Sequence, residues 1–367
     1  PSRPRAGAPD YLFIALVVFL VIFGLVMLAS ASSDLATARF GSSYYYLQHQ
    51  LFYGFSLGII GFLVGCFLYY RRLERFATPL LILSVIALIL VFTPLGFTAK
   101  GSDRWIDAGF FTFQPSEIVK LTFFIYLAAW IAKSEERRLS FIEGFLPFVV
   151  LIGIVVGLLF LQPATTVAVL ITLAALIMYF MGGARIRFIA AAALIGVLCV
   201  SLLISVTPYR MKRITSFFDQ SADPQGSGFQ LREAQLAIGS GGLWGVGYGK
   251  STTKFSTLPE PMGDSIFAVI AEELGFAGAA VLVLVFFLFF WRGIRIAWRA
   301  PDTFGRLLVL GFTVVITLQA FVNMAAISGI IPLTGIPLPF VSYGGTALTV
   351  FLTMSGIMVN ISRYGKR

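Results

Sequence analysis

The sequence predicts an all-α polytopic membrane protein with ten transmembrane helices and one long extracytoplasmic loop between helices 7 and 8. Three observations carry this reading. Hydrophobic residues make up 58% of the chain and charged residues only 12%, at a mean hydropathy of +0.91; a soluble domain carries about 25% charged residues. Apolar runs of about 20 residues, enough to cross a ~30 Å hydrocarbon layer, recur from end to end. Among them lies one long polar stretch, Tyr209 to Gly278, with a cluster of glycines at Gly239, Gly241, Gly242, Gly245, Gly247 and Gly249. A long loop kept among membrane spans is commonly kept for chemistry or recognition.

The spans fall at about 11–31, 47–70, 77–94, 114–132, 144–162, 165–182, 187–206, 265–291, 305–328 and 340–361. Residues 1–367 form a single membrane domain, with the loop at about 207–264. The first apolar run is long enough to span, so it does not read as a cleavable signal. One set of helix ends holds 17 of the 27 Lys and Arg residues, the opposite set nine, six of them in the long loop. By the positive-inside rule both termini are cytoplasmic, and the long loop faces outward from the cytoplasmic (inner) membrane. The formal charge of +10 is spread between apolar runs and makes no nucleic-acid patch. Cys66 and Cys199 lie inside apolar runs, which indicates neither a disulfide framework nor a zinc site.

His49 is the only histidine. That excludes a multi-histidine metal centre and leaves carboxylates for acid–base work on the outer face. Asp264 stands out by position. Pro259 and Pro261 stiffen the approach, Gly263 precedes it, and a helix follows. Counting outward from Trp291, about twenty residues reach Glu272, and Asp264 lies about 12 Å beyond, in the headgroup zone. It reads either as a helix N-cap or as a base facing a lipid-linked substrate. Arg210, Lys212, Arg213, Lys250 and Lys254 read either as solvated loop charges or as a cluster that grips a phosphate together with the glycine loop's backbone amides. The glycines match neither a P-loop nor a dinucleotide fingerprint. Pro115 suits the first turn of span four. Glu117 and Lys120, three apart, share a face there, either as a structural ion pair or as the lining of an outward-open polar cavity. Asn323, inside span nine, reads as an interhelical hydrogen-bonding residue.

Several motifs taken together resemble the SEDS family (shape, elongation, division, sporulation), whose members include FtsW and RodA. They are Gly101-Ser102-Asp103-Arg104-Trp105-Ile106, Phe113-Gln114-Pro115-Ser116-Glu117-Ile118-Val119-Lys120, Gly239 to Gly247, Leu258-Pro259-Glu260 with Asp264, Ala271-Glu272-Glu273-Leu274-Gly275, and Pro337 to Gly345. Lys250 to Phe255 and Ser30-Ala31-Ser32 are more similar to FtsW than to RodA. The resemblance covers essentially the whole chain. It implies a peptidoglycan glycosyltransferase that polymerises lipid II on the outer leaflet, releases undecaprenyl diphosphate, and works with a class B penicillin-binding protein and other division or elongation proteins. It also implies that Asp264 is the essential loop aspartate, and that Arg104, Glu117 and Lys120 occupy motif positions.

On this reading Asp264 is catalytic, and Arg104, Glu117, Lys120, Arg210, Lys250, Lys254 and Glu260 contact substrate. A divalent cation, Mg or Mn, is the expected cofactor, with no organic cofactor. Two departures stand out. Gln162-Pro163-Ala164 replaces the family's common Gln-Pro-Asp, and Met262-Gly263 and Ser265 replace His-Thr and Phe around the aspartate. The rival readings are a flippase for a lipid-linked precursor, drawing on Glu117 and Lys120 as a polar path, and a non-enzymatic division scaffold.

Overall fold

The structure, a computed structural model, describes residues 6–94, 96–99, 102–107, 109, 112–134, 138–256 and 258–365. Of the charges used to orient the chain, Arg3, Arg5, Lys100, Arg137, Lys366 and Arg367 lie outside the described residues, as do Gly101 of the first motif and Thr257 of the loop. The spans are α1 (Tyr11–Phe40), α2 (Tyr45–Phe67), α3 (Arg71–Leu90), α4 (Pro115–Ala132), α5 (Phe141–Leu161), α6 (Thr165–Met181), α7 (Ile186–Val206), α11 (Ile266–Arg299), α12 (Thr303–Ile327) and α13 (Gly345–Ser362). Among the described residues, nine of these are long and apolar enough to cross a membrane. The apolar α6, at 17 residues, is shorter, and the count is consistent with ten. The bundle centres on α12, 83% of whose apolar window is buried; α7, at 0%, lies at the periphery.

Between α3 and α4 the chain forms a three-stranded antiparallel sheet, β1 (Gly96–Ala99), β2 (Ser102–Asp107) and β3 (Thr112–Phe113). Gly96 pairs with Ile106, and Ile106 with Phe113. No strand was expected there. The sheet places Arg104 on its middle strand. The long loop is helical too, with α8 (Pro208–Phe218), α9 (Ser227–Ser240) and the single turn α10 (Thr253–Ser256).

Helix ends differ from the expected spans for local reasons. α1 continues past residue 31 to Phe40, and in this stretch the Ser33 and Thr37 hydroxyls donate to the carbonyls of Ser30 and Ser33, at 3.1 and 2.8 Å. It stops at Gly41, which takes the left-handed conformation at φ 68°. Residues 340–344, expected to begin the last span, instead form a turn that docks on the segment before α11.

α11 is 34 residues long, about 51 Å, well beyond a hydrocarbon layer. It breaks at Gly275 (φ 68°, ψ −169°), close to the depth where its apolar stretch meets the headgroups. The glycine loop docks on this break. Val246 and Gly247 donate to the carbonyls of Glu272 and Glu273 at 3.0 and 3.1 Å, and Phe276 and Ala277 donate back to Gly242 and Leu243 at 2.8 and 3.1 Å. Gly245 sits at φ 81°, where an added Cβ would lie 2.2 Å from the Glu273 carbonyl oxygen. These glycines therefore permit close approach of backbone to backbone, and of the loop amides expected to cradle phosphate, those of Val246 and Gly247 are occupied by α11. Gly245→Ala is expected to destabilise the fold by about 1–3 kcal/mol, read as a lowered thermal midpoint in detergent; an unchanged midpoint would show that the loop is not docked in this way.

Candidate active site

Asp264 lies on a turn that the sequence makes sharp. Glu260 takes φ 51°, and its carbonyl accepts from the amides of Gly263 (2.9 Å) and Ser265 (3.3 Å). This redirects the chain into α11. The cap position falls to Ser265, not to Asp264. Asp264 is half-buried, and its Oδ1 accepts from Gln230 Nε2 of α9 at 3.3 Å; the same amide donates to Ser265 Oγ at 3.0 Å.

The main chain of the turn is held from two further directions. Asn323 Nδ2 of α12 donates to the carbonyls of Asp264 and Ile336, both at 2.8 Å. Ser342 Oγ donates to the Gly263 carbonyl at 2.6 Å while accepting from the Leu338 amide at 2.8 Å. The Tyr343 amide donates to Met262 at 2.9 Å. The proline-rich stretch 332–339 thus serves as a splint for the turn. His49, outside any metal cluster, lies with Nδ1 2.9 Å from Tyr343 Oη.

Glu117 and Lys120 do not face an open cavity. Their side chains meet at 2.7 Å with 3% and 0% exposure. Lys120 also donates to Gln319 Oε1 at 2.8 Å and sits 4.9 Å from the centre of the Phe351 ring. The reason is the face of α4 they occupy, which packs on α12 and α13. Gln319 Nε2 donates in turn to the Pro337 carbonyl at 2.9 Å. Gln319 and Asn323 are one helical turn apart, so the ion pair and the Asp264 turn are fixed to the same stripe of α12.

The basic residues of the long loop do not form one cluster. Lys254 is buried: its Nζ meets Glu273 at 2.7 Å, Ser30 Oγ at 2.8 Å and the Gly249 carbonyl at 3.0 Å. It therefore locks the loop to α1 and α11, which corrects its expected place on a phosphate-gripping surface. Neighbouring Glu272 accepts from Ser251 Oγ (2.5 Å), the Thr252 amide (2.9 Å) and the Thr253 hydroxyl. Lys250 is exposed above the glycine turn. Glu260 flanks Asp264 on its own turn, its carboxylate beside Gly263.

Three arginines do converge, at the outer end of α5. Arg104 donates to the carbonyls of Gln162 (3.0 Å) and Pro163 (2.7 Å). Arg210 donates to the Phe160 carbonyl at 3.2 Å. Arg213 donates to Leu333 at 3.4 Å and to the Tyr209 hydroxyl. Burial lowers the Arg104 pKa from its ordinary value, with Tyr209 opposing the shift and Arg213 adding to it. Burial also lowers that of Arg210. Among the described residues none of the three meets a carboxylate, and the adjacent position, Ala164, supplies none. Phe160 also lines an apolar cavity of ≈ 340 Å³ between α5, α6 and α7, with Phe148, Val156, Leu173, Leu176 and Val197 among its walls.

The family model described as "Cell cycle protein", covering FtsW, RodA and SpoVE, matches residues 10–367. The chain belongs to the SEDS family. Among SEDS relatives, the "Probable peptidoglycan glycosyltransferase FtsW" of Geobacter sp. (strain M18) is 37% identical over 359 residues, 98% of each chain. "Stage V sporulation protein E" of Bacillus subtilis (strain 168) is 37% identical over 363 residues, 99% of each. The crystal structure of Thermus thermophilus rod shape determining protein RodA superposes with a TM-score of 0.71 at 28% identity, covering 97% of both chains. A chain from a peptidoglycan synthase complex that coordinates polymerization and crosslinking gives 0.80 at 28%, covering 97% of this chain and 98% of that one.

One residue at this SEDS site escaped sequence reasoning. Gln230 gave no signal, being a neutral polar residue in a polar loop. Asn323 did signal, as an amide inside an apolar span, but its partners are the carbonyls of the aspartate turn and not another helix's side chain. Lys120→Met is expected to cost about 3–5 kcal/mol, because Glu117 keeps a buried charge without its partner. The double change Glu117→Gln with Lys120→Met is expected to recover a substantial part of that loss, and thermal unfolding of the three proteins checks it.

Proposed function

We propose that Asp264 is the general base of a glycosyl transfer at the outer face of the membrane. As a SEDS protein the chain is a peptidoglycan glycosyltransferase. The acceptor sugar's hydroxyl, at the head of lipid II, attacks the anomeric carbon of the donor. Its proton passes to the Asp264 carboxylate. The bond from the anomeric carbon to the diphosphate oxygen breaks, and the electron pair leaves with undecaprenyl diphosphate. Displacement from one face converts an α-linked diphosphate into a β-linked sugar. The observation that carries this reading is the half-buried Asp264 carboxylate on a turn whose backbone is fixed by Asn323, Ser342 and Tyr343.

Arg104, Arg210 and Arg213 suit the diphosphate, since they present cationic donors without a carboxylate to neutralise them. The apolar cavity beside Phe160 suits a stretch of the polyprenyl chain. Both Arg213 and Asn323 hold the 333–336 segment, so cations and base flank one loop. Glu117, Lys120 and Lys254 support the site from inside the protein. The expected divalent cation finds no group of three His, Cys, Asp or Glu among the described residues, and no step is assigned to it. A flippase reading drew on Glu117 and Lys120 as a polar path, but the two are closed on each other.

The first and last described residues lie together at the end of the bundle opposite Asp264. The Gly7 amide donates to the Arg363 carbonyl at 2.7 Å, and Asp10 pairs with Arg292 at 2.8 Å. With the Lys/Arg bias this supports cytoplasmic termini. A class B penicillin-binding protein as partner is supported by the likeness to the chain from a peptidoglycan synthase complex.

Asp264→Asn is expected to lower polymerisation of purified lipid II by about 10²–10⁴-fold, the contribution of one general base, with an unchanged thermal midpoint. Wild-type glycan synthesis by that variant would refute the role. Arg210→Ala with Arg213→Ala is expected to raise KM for lipid II by about tenfold or more; an unaltered KM would remove these arginines from the substrate site.

A further inference from the structure

A base has to be aimed as well as exposed. Asn323, Ser342 and Tyr343 hold the main chain of the turn and do not reach the Asp264 carboxylate. Gln230 reaches the carboxylate itself, and it does so from a fixed helix. α9 buries Leu231, Ala234 and Ala237 and packs along α11. Its start is pinned where Gly228 passes the Gln220 carbonyl so closely that a Cβ would lie 2.4 Å away. Gln220 also donates to Gln235 at 3.0 Å. The bridge from Gln230 to both Asp264 Oδ1 and Ser265 Oγ therefore ties the first residue of the α11 entry to a second rigid element.

We infer that Gln230 is a positioning residue for glycosyl transfer: its amide donates to the Asp264 carboxylate and sets the direction in which that carboxylate meets the acceptor hydroxyl. The inference rests on Asp264 acting as the base. A neutral donor suits the task. It donates a hydrogen bond to the carboxylate without placing a further charge beside it. The surrounding charges fit this division of labour. On α9, Arg232 Nε and Glu233 Oε1 lie 3.7 Å apart. Glu260 sits on the same turn as Asp264. α12 offers the amide of Asn323, and the 338–343 segment offers a hydroxyl and backbone groups.

The test compares wild type, Gln230→Met, Gln230→Glu, Asp264→Asn and the double change Gln230→Met with Asp264→Asn, as full chains with purified lipid II. Thermal midpoints are measured alongside. Methionine keeps the length and removes the donor, so kcat is expected to fall about tenfold while KM stays within a factor of about two. Gln230→Glu puts two carboxylates at hydrogen-bond distance. Only one can readily ionise, so the acid limb of the pH–rate profile is expected to move to higher pH. The double change is expected to be no slower than Asp264→Asn alone. If Asp264→Asn is inactive but Gln230→Met matches wild type in kcat, or if the two losses multiply, the positioning role is overturned. If Asp264→Asn polymerises like wild type, it is the assignment of the base that fails.

Discussion

Burying an ammonium and a carboxylate in a membrane bundle is costly unless each finds a partner and the remaining donors are satisfied. Glu117 and Lys120 meet that condition only if α4, α12 and α13 stand in one arrangement, with Gln319 accepting from Lys120 and Phe351 offering its ring face. Once Gln319 is committed to Lys120, its amide points to Pro337, and Asn323 one turn further on points to Ile336 and Asp264. The ion pair thus fixes α4 against α12, and α12 holds the turn that carries Asp264. A pair with no access to substrate can in this way be indispensable to a site it never touches.

The second constraint is the length of α11. A continuous helix from Asp264 to Arg299 would hold the aspartate about 12 Å beyond the hydrocarbon edge, among the headgroups, without lateral support. The break at Gly275 exposes backbone groups at the membrane boundary, and the glycine loop satisfies them. Lys254, Glu273 and Ser30 then lock that loop to α1, while the Glu272 carboxylate fills the nest of donors at Ser251 to Thr253. Two adjacent acidic residues of the half-helix are therefore spent on holding it upright, which leaves Asp264 as the acidic residue at its tip.

The spans were legible because a hydrocarbon layer demands long apolar runs, and hydropathy reads that demand directly. Ends were less legible. α1 outlasts its apolar run and ends only where Gly41 takes the left-handed conformation. The position of Asp264 was legible from Pro259, Pro261 and Gly263, since turn chemistry is local. The state of each cation was not. Lys254 and Lys250 look alike in sequence, yet one is buried against Glu273 and the other is exposed. What separates them is Glu273, a partner on α11 that only the tertiary fold brings to one of them. The glycine cluster was visible too, but glycine permits approach to a phosphate or to another backbone equally well, and the chain alone does not say which is near.

Ala164 bears on the same question of partners. Where the family commonly places an aspartate, this chain places a methyl group beside the Pro163 carbonyl that Arg104 grips. A carboxylate there would cancel one guanidinium charge in a half-buried site. Carbonyls do not: the end of α5 offers partial negative charge, enough to orient Arg104 and Arg210 but not to neutralise them. With Arg213 alongside, the cluster keeps most of its positive potential, and burial raises the cost of leaving that potential unanswered. The departure from the family pattern therefore strengthens the case for an anion at this end of α5. On the proposed function that anion is the diphosphate, and the apolar cavity bounded by Phe160 lies beside it for the polyprenyl chain.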